Sequence, residues 1–296
     1  MDLLARLGMT VPLVQAPMAG VSTPSLAAAV SNAGGLGSIG LGASNAATAQ
    51  EMIHAVRAQT ERPFNVNLFV HATPVLSPER DAAWLNWLAP LFAEFGEAPP
   101  TQLNTLYTSF NDDPDMLDML LHVRPPVTSF HFGLPPAQTV LALKATGAVL
   151  LASVTSLDEA RAAEAAGMDA VVAQGIEAGG HRGIFNPEGE DDALGIMPLT
   201  RLLVKQGRLP VIAAGGIMDG AGIAAALALG ACATQMGTAF ILCPESSADT
   251  GYRQTLSGPA AFHTRLTHLV SGRPARCLGN RFTALEAITG RPVTPA

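Results

Sequence analysis

Residues 211–240 read VIAAGGIMDGAGIAAALALGACATQMGTAF. A short apolar run at 211–213 leads into the pair Gly215-Gly216, and Asp219 follows as a helix cap. An alanine-rich helical pattern over 223–230 then gives way to a second strand-like run at 233–236, which passes into Gly237-Thr238. Strand, helix and strand joined by short glycine turns make one βαβ unit with parallel strands.

The same rhythm runs outward in both directions. Upstream strands are expected at 13–16, 37–40, 64–68, 127–130, 148–152 and 170–173, so that 211–213 is the seventh and 233–236 the eighth. Thr23-Pro24 opens a helix with a hydroxyl cap and a first-turn proline, and 44–58 reads as another helix. Eight strands alternating with helices predict an α/β fold, a (β/α)8 TIM barrel. Residues 73–124 are longer than a simple crossover: helices are expected at 79–95 and 112–121, the second capped by Asn111-Asp112 with Pro114 in its first turn. Pro99-Pro100 marks the loop between them. This stretch is either an elongated β3–α3 unit or a small inserted lobe. Helical patterns at 246–256 and 283–288 suggest a helical C-terminal extension over 246–296, outside the barrel but within a single domain spanning 1–296.

Composition narrows the functional classes. The chain has 296 residues, 48% hydrophobic and only 14% charged, with a formal net charge of −7 and no basic tract. Nothing in it suits nucleic acid or an anionic membrane surface. Cys232, Cys243 and Cys277 are odd in number and lack CxxC spacing, which argues against a disulfide framework or a zinc site. No N-terminal signal pattern and no apolar run of membrane-spanning length is visible, so a soluble cytoplasmic protein is expected.

Chemistry concentrates at strand ends, where such barrels build their sites. The sixth strand runs into Ala173-Gln174-Gly175-Ile176-Glu177-Ala178-Gly179-Gly180-His181-Arg182-Gly183. Its glycines let the backbone approach a ligand closely, and its histidine can exchange a proton near neutral pH. The turns Gly215-Gly216 and Gln235-Met236-Gly237-Thr238 follow the two strands after which these barrels often bind phosphate. No GxGxxG after the first strand and no Walker lysine motif favours a dinucleotide or a nucleoside triphosphate. A mononucleotide fits better, and FMN is the one most used for redox chemistry at such a mouth. Asn67 and Gln174 end strands with amides suited to an isoalloxazine edge. The turn holding Ala16, Pro17 and Met18 could lay backbone against one ring face.

These motifs resemble the 2-nitropropane dioxygenase-like flavoproteins, specifically class I nitronate monooxygenases. The resemblance spans essentially the whole chain. It is carried by QAPMAGVSTPSLAAAVSNAGGLGSIG at 15–40, NVN at 65–67, SFHFG at 129–133, AQGIEAGGHRG at 173–183, AAGGI at 213–217 and QMGTAF at 235–240. It implies FMN held by Asn67, Gln174, Gly179, Gly216, Gln235, Met236, Gly237 and Thr238; Ala16, Pro17, Met18, Gly180 and Gly215 complete the candidate cofactor set. It implies His181 as catalytic base. The implied reaction oxidises an alkyl nitronate, such as propionate 3-nitronate, with O2 to a carbonyl compound and nitrite, without NAD(P)H, in a detoxifying role. His131 is either a substrate contact or a histidine packed beneath the flavin. Tyr107 and Tyr252 resemble substrate-pocket residues, or are tyrosines at a core edge. Class I members usually continue past the position of Ala296 with further pocket residues and an Ala-Gly-Gln turn. Two other readings remain at this level: an NAD(P)H-dependent FMN reductase acting on quinones or enoyl-acyl carrier proteins, and a phosphate-binding barrel without activity.

Overall fold

A strand covered by helices on one face and packed inside a barrel on the other is buried on both sides, so it reads as a continuous apolar run. A computed structural model describes residues 3–75, 77–105 and 107–295. In it all eight expected runs are parallel strands: β1 (Leu13–Gln15), β2 (Gly37–Gly40), β3 (Phe64–Phe69), β4 (Val127–His131), β5 (Val149–Val154), β6 (Ala170–Gln174), β8 (Val211–Ala214) and β9 (Ala233–Met236). A two-residue strand, β7 (Gly180–His181), lies between β6 and β8 in the chain and belongs to a second sheet with β10 (Thr264–Thr267) and β11 (Ala275–Leu278).

The barrel order is β1-β9-β8-β6-β5-β4-β3-β2, and a Val14–Leu36 bridge joins its two ends. At that seam the Gln15 side chain replaces a ladder carbonyl, its Oε1 accepting from the Ser38 N–H at 2.8 Å. The Gln15 amide also donates to the Ala16 carbonyl and to Ser22 Oγ, so one buried side chain closes the barrel and shapes the turn that follows. With Gln15 committed, the β1 turn has little freedom.

Side chains alternate between the barrel interior and the surrounding helices. Val14, Val127, Val149, Leu151, Val172 and Ile212 share the interior cluster, and the helix Leu3–Arg6 with Leu7 and Met9 plugs its lower end. Continuing the same alternation upward reaches Asn67, Ser129, Gln174 and Gln235 at the strands' carboxyl ends. Apolar layers therefore give way to a polar rim at the mouth.

The stretch 73–124 contains the helix Pro78–Ala93 and the helix Pro114–Val123. The second packs its Met119, Leu120 and Val123 into the outer core, in the place of an ordinary crossover helix. Its cap is Asp113, whose carboxylate accepts from the Met116 N–H at 2.9 Å, and not the expected Asn111-Asp112 pair. Phe110–Asp112 instead forms a separate 3-10 turn, because Pro114 fixes the helix start one residue later. The 246–296 extension also departs from its purely helical expectation. Helices Thr250–Leu256 and Arg281–Ala284 are present, but β10 and β11 form a hairpin between them. A four-residue strand carries too few alternations to register as a pattern.

Candidate active site

The loop after β6 is fastened from within. Gln174 Nε2 donates to the His181 carbonyl at 3.0 Å, and Gln174 Oε1 accepts from the Gly183 N–H at 2.7 Å. Arg182, only 3% exposed, grips Asp191 through two parallel bonds of 2.8 and 2.9 Å and donates to the Gln174 carbonyl at 2.5 Å. Bidentate guanidinium–carboxylate pairing fixes both distance and plane. Arg182 holds the Asp191 carboxyl below its ordinary range. The sequence assigned no role to Arg182; the fold makes it the staple of the loop.

The loop is also fastened from outside, by residues far along the chain. His181 pairs with Ala275 and Gly180 with Arg276 in the β7–β11 ladder. Arg276 Nε and Nη2 both donate to the Ile176 carbonyl, at 3.1 and 3.0 Å. Ser271 Oγ lies 2.6 Å from His181 Nε2. The ring is half-buried, and burial, followed by the charge of Arg273, lowers its pKa below the usual histidine value. A neutral imidazole at the mouth can accept a proton.

Phe132 sits at the centre of this constellation. Its ring meets His181 edge-on at 5.7 Å, His131 at 4.4 Å and Phe69 at 5.1 Å, and the Arg273 guanidinium lies 4.4 Å over its face. Its φ of 73° is left-handed, an unfavourable setting for a bulky residue that persists where surrounding contacts hold it. His131 Nε2 approaches the His181 carbonyl at 3.4 Å, and burial drives its pKa down to about 4. It packs as a neutral ring beneath the loop: a Cβ added at Gly183 would come within 2.8 Å of His131 Cε1.

Across the mouth, three strand-end turns converge. A Cβ on Gly179 would lie 3.2 Å from Thr238 Oγ1, and one on Gly215 would lie 3.1 Å from the Ala178 nitrogen. One on Gly237 would meet Ala16 Cβ and Met18 Sδ, each at 3.4 Å. Gly215 and Gly216 have φ of 121° and 66°, values that glycine adopts without strain. Among the described residues, the Gly216 and Thr238 N–H groups donate to no backbone partner. Small turns with free, accessible N–H donors suit an oxyanion such as a phosphate.

The chain matches the nitronate monooxygenase family over residues 2–293. The chain belongs to that family.

Nitronate monooxygenases of Paraburkholderia phytofirmans and Pseudomonas aeruginosa are 59% and 58% identical over 285 and 289 residues. Those alignments cover 96% and 98% of this chain and 78% and 82% of the relatives. A solved nitroalkane oxidase from Streptomyces ansochromogenes superposes with a TM-score of 0.88 at 40% identity, covering 99% of this chain and 82% of that one. FabK from Thermotoga maritima is similar at lower values, with a TM-score of 0.72, 34% identity and coverage of 95% and 75%.

The candidate residues that the nitronate monooxygenase family suggested fall into distinct places. His181 and His131 come together through the His181 carbonyl. Tyr107 stands edge-on to Phe69 at 5.8 Å, two rings away from His181. Tyr252, 38% exposed, lies beside Cys277 of β11; burial, then that thiol, raises its pKa. Asn67 Nδ2 donates to Ser129 Oγ at 2.9 Å. Met236 faces outward into the cluster of Ala213, Ile217 and Ala226, which leaves its backbone as its route to a ligand. Gln174 is committed to the loop at both ends of its amide. Sequence reading missed Ser271, Phe132 and Arg273. No strand-end motif marks the serine and arginine, whose nearness to His181 depends on the β7–β11 pairing.

Proposed function

We propose that this chain is an FMN-dependent nitronate monooxygenase, oxidising alkyl nitronates such as propionate 3-nitronate with O2 to a carbonyl compound and nitrite. The observation that carries this reading is the family match over residues 2–293 joined to the glycine turns that converge at the mouth; the neutral, half-exposed His181 imidazole, on a loop fastened at both faces, extends it to neutral nitroalkanes. A base that must take a proton from carbon needs an unprotonated nitrogen and a fixed position.

The residues fit the cofactor. Gly215, Gly216, Gly237 and Thr238, with Gly179 against Thr238, would hold the phosphate, while the turn of Ala16, Pro17 and Met18 and the rim amide of Gln235 would border the ring. When bound, FMN supplies the electron acceptor that no side chain provides. His181 would take the proton of a neutral nitroalkane, and Ser271 and the Gln174-held carbonyl would keep its ring in place. The same histidine, once protonated, would oppose the negative charge of a nitronate.

The test is oxygen uptake with stoichiometric nitrite formation on propionate 3-nitronate by the FMN-loaded protein. Rapid anaerobic bleaching by NADH or NADPH, without nitronate turnover, would instead identify a reductase.

A further inference from the structure

We propose that Arg273 is the anion-binding residue of this site, pairing with the nitro oxygens of the nitronate and setting the preference for nitronates over neutral nitroalkanes. This rests on the function proposed above.

Three arginines touch the histidine loop, and they are satisfied very differently: Arg276 spends its three kinds of donor nitrogen on the Ile176 carbonyl and the Thr264 hydroxyl. Arg182 has a carboxylate and a carbonyl and is sealed from solvent. Arg273 forms no ion pair among the described residues. Its one hydrogen bond runs from Nη2 to the Ile184 carbonyl at 2.7 Å, and its Nε is buried without a partner. A guanidinium carries five N–H donors in a planar fork suited to paired oxygens. One that is partly buried and lacks an anion retains both its charge and most of its donors.

The placement is enforced. The Pro274 carbonyl accepts from the Arg182 N–H at 2.8 Å, and Ala275 pairs with His181, so the residue just before this ladder is carried to the histidine loop. Stacking on Phe132, whose ring also meets His181, sets the guanidinium and imidazole around a common aromatic platform. The positive charge of Arg273 acts on His71, His131 and His181, and burial with that charge keeps each below its usual protonation range. Burial lowers Arg273 itself only to about 10, so it remains charged at neutral pH. Neutral imidazoles around one persistent cation favour a singly anionic guest over a neutral one.

The test uses the FMN-loaded protein with Arg273→Gln, which removes the charge but keeps a polar amide, and Arg273→Lys, which keeps a charge. For ethyl nitronate, Arg273→Gln should raise KM on the order of 10- to 100-fold, the range of a charge-assisted hydrogen bond, with a smaller effect on kcat. KM for neutral nitroethane should hold nearly constant, and Arg273→Lys should recover part of the nitronate loss. Nitrite affinity measured by titration calorimetry should fall in parallel. Unchanged nitrite and nitronate binding in Arg273→Gln would overturn the proposal. So would weakened FMN retention with anion binding intact, which would make Arg273 a flavin contact. If the wild-type protein turns over no nitronate yet binds nitrite through Arg273, the functional reading fails and the anion site stands.

Discussion

Gln174 holds His181 by its backbone: Nε2 donates to the His181 carbonyl at 3.0 Å, while the same amide accepts from the Gly183 N–H at 2.7 Å. The residue at the end of β6 thus spans the histidine from both sides. Gln174→Leu should leave both backbone groups without these partners, at about 1–3 kcal/mol for each one left buried. Urea denaturation should report the loss of stability, and kcat/KM should fall with it. Gln174→Glu preserves shape but turns a carboxylate oxygen toward the His181 carbonyl, so it should be no better tolerated than leucine.

The Arg182–Asp191 pair predicts a pH dependence. Hydrogen bonding from Arg182 depresses the Asp191 pKa in the folded state below its ordinary value of 3.8. The corresponding stability is therefore present above that ordinary value and lost as pH falls through the depressed one. Asp191→Asn should cost about 2 kcal/mol near neutrality, less than a fully sealed pair because a quarter of the Asp191 side chain is solvated. Thermal melts across the acid range should show the wild-type advantage shrinking as Asp191 protonates. A constant gap between the two proteins would remove Asp191 as its source.

His181→Asn should abolish turnover of neutral nitroalkanes and spare much of the turnover of preformed nitronates, because only the former must lose a proton. Burial and Arg273 lower the His181 pKa below 6.5. The acid limb of kcat/KM for nitroethane should therefore break below 6.5 and reach its plateau by neutral pH. Equal loss on both substrates would contradict the role of base.

Gly183→Ala would drive a Cβ to 2.8 Å from His131 Cε1 and 3.3 Å from Gln174 Oε1. Neither neighbour has room to retreat, since His131 is packed on Phe132 and Gln174 is tied to the loop. Overpacking of this kind costs about 1–3 kcal/mol. A lowered melting temperature with a displaced histidine loop should follow, and a crystal structure of the variant would show the shift directly.

Much of the frame was legible in the chain alone. Every barrel strand stands at its expected run, because a strand buried on both faces reads as a short, mostly apolar run, and its few polar members, such as Ser38, Asn65 and Thr128, are buried too. Thr23 and Asp219 cap their helices as read, accepting from the Leu26 and Gly222 N–H groups at 3.0 and 2.9 Å. The glycine turns were visible too, since positive φ and close approach leave few other choices of residue. What surrounds the histidine was not. Ser271 reaches His181 across 90 residues, and Arg273 arrives there only because Ala275 and Arg276 pair with His181 and Gly180. A polar side chain in a loop has no periodicity, and a two-residue strand has no pattern, so neither announces its partner. The sequence by itself determined the barrel and singled out His181 as its candidate base. Tertiary pairing alone decided the charge beside that histidine and the contacts that hold it still.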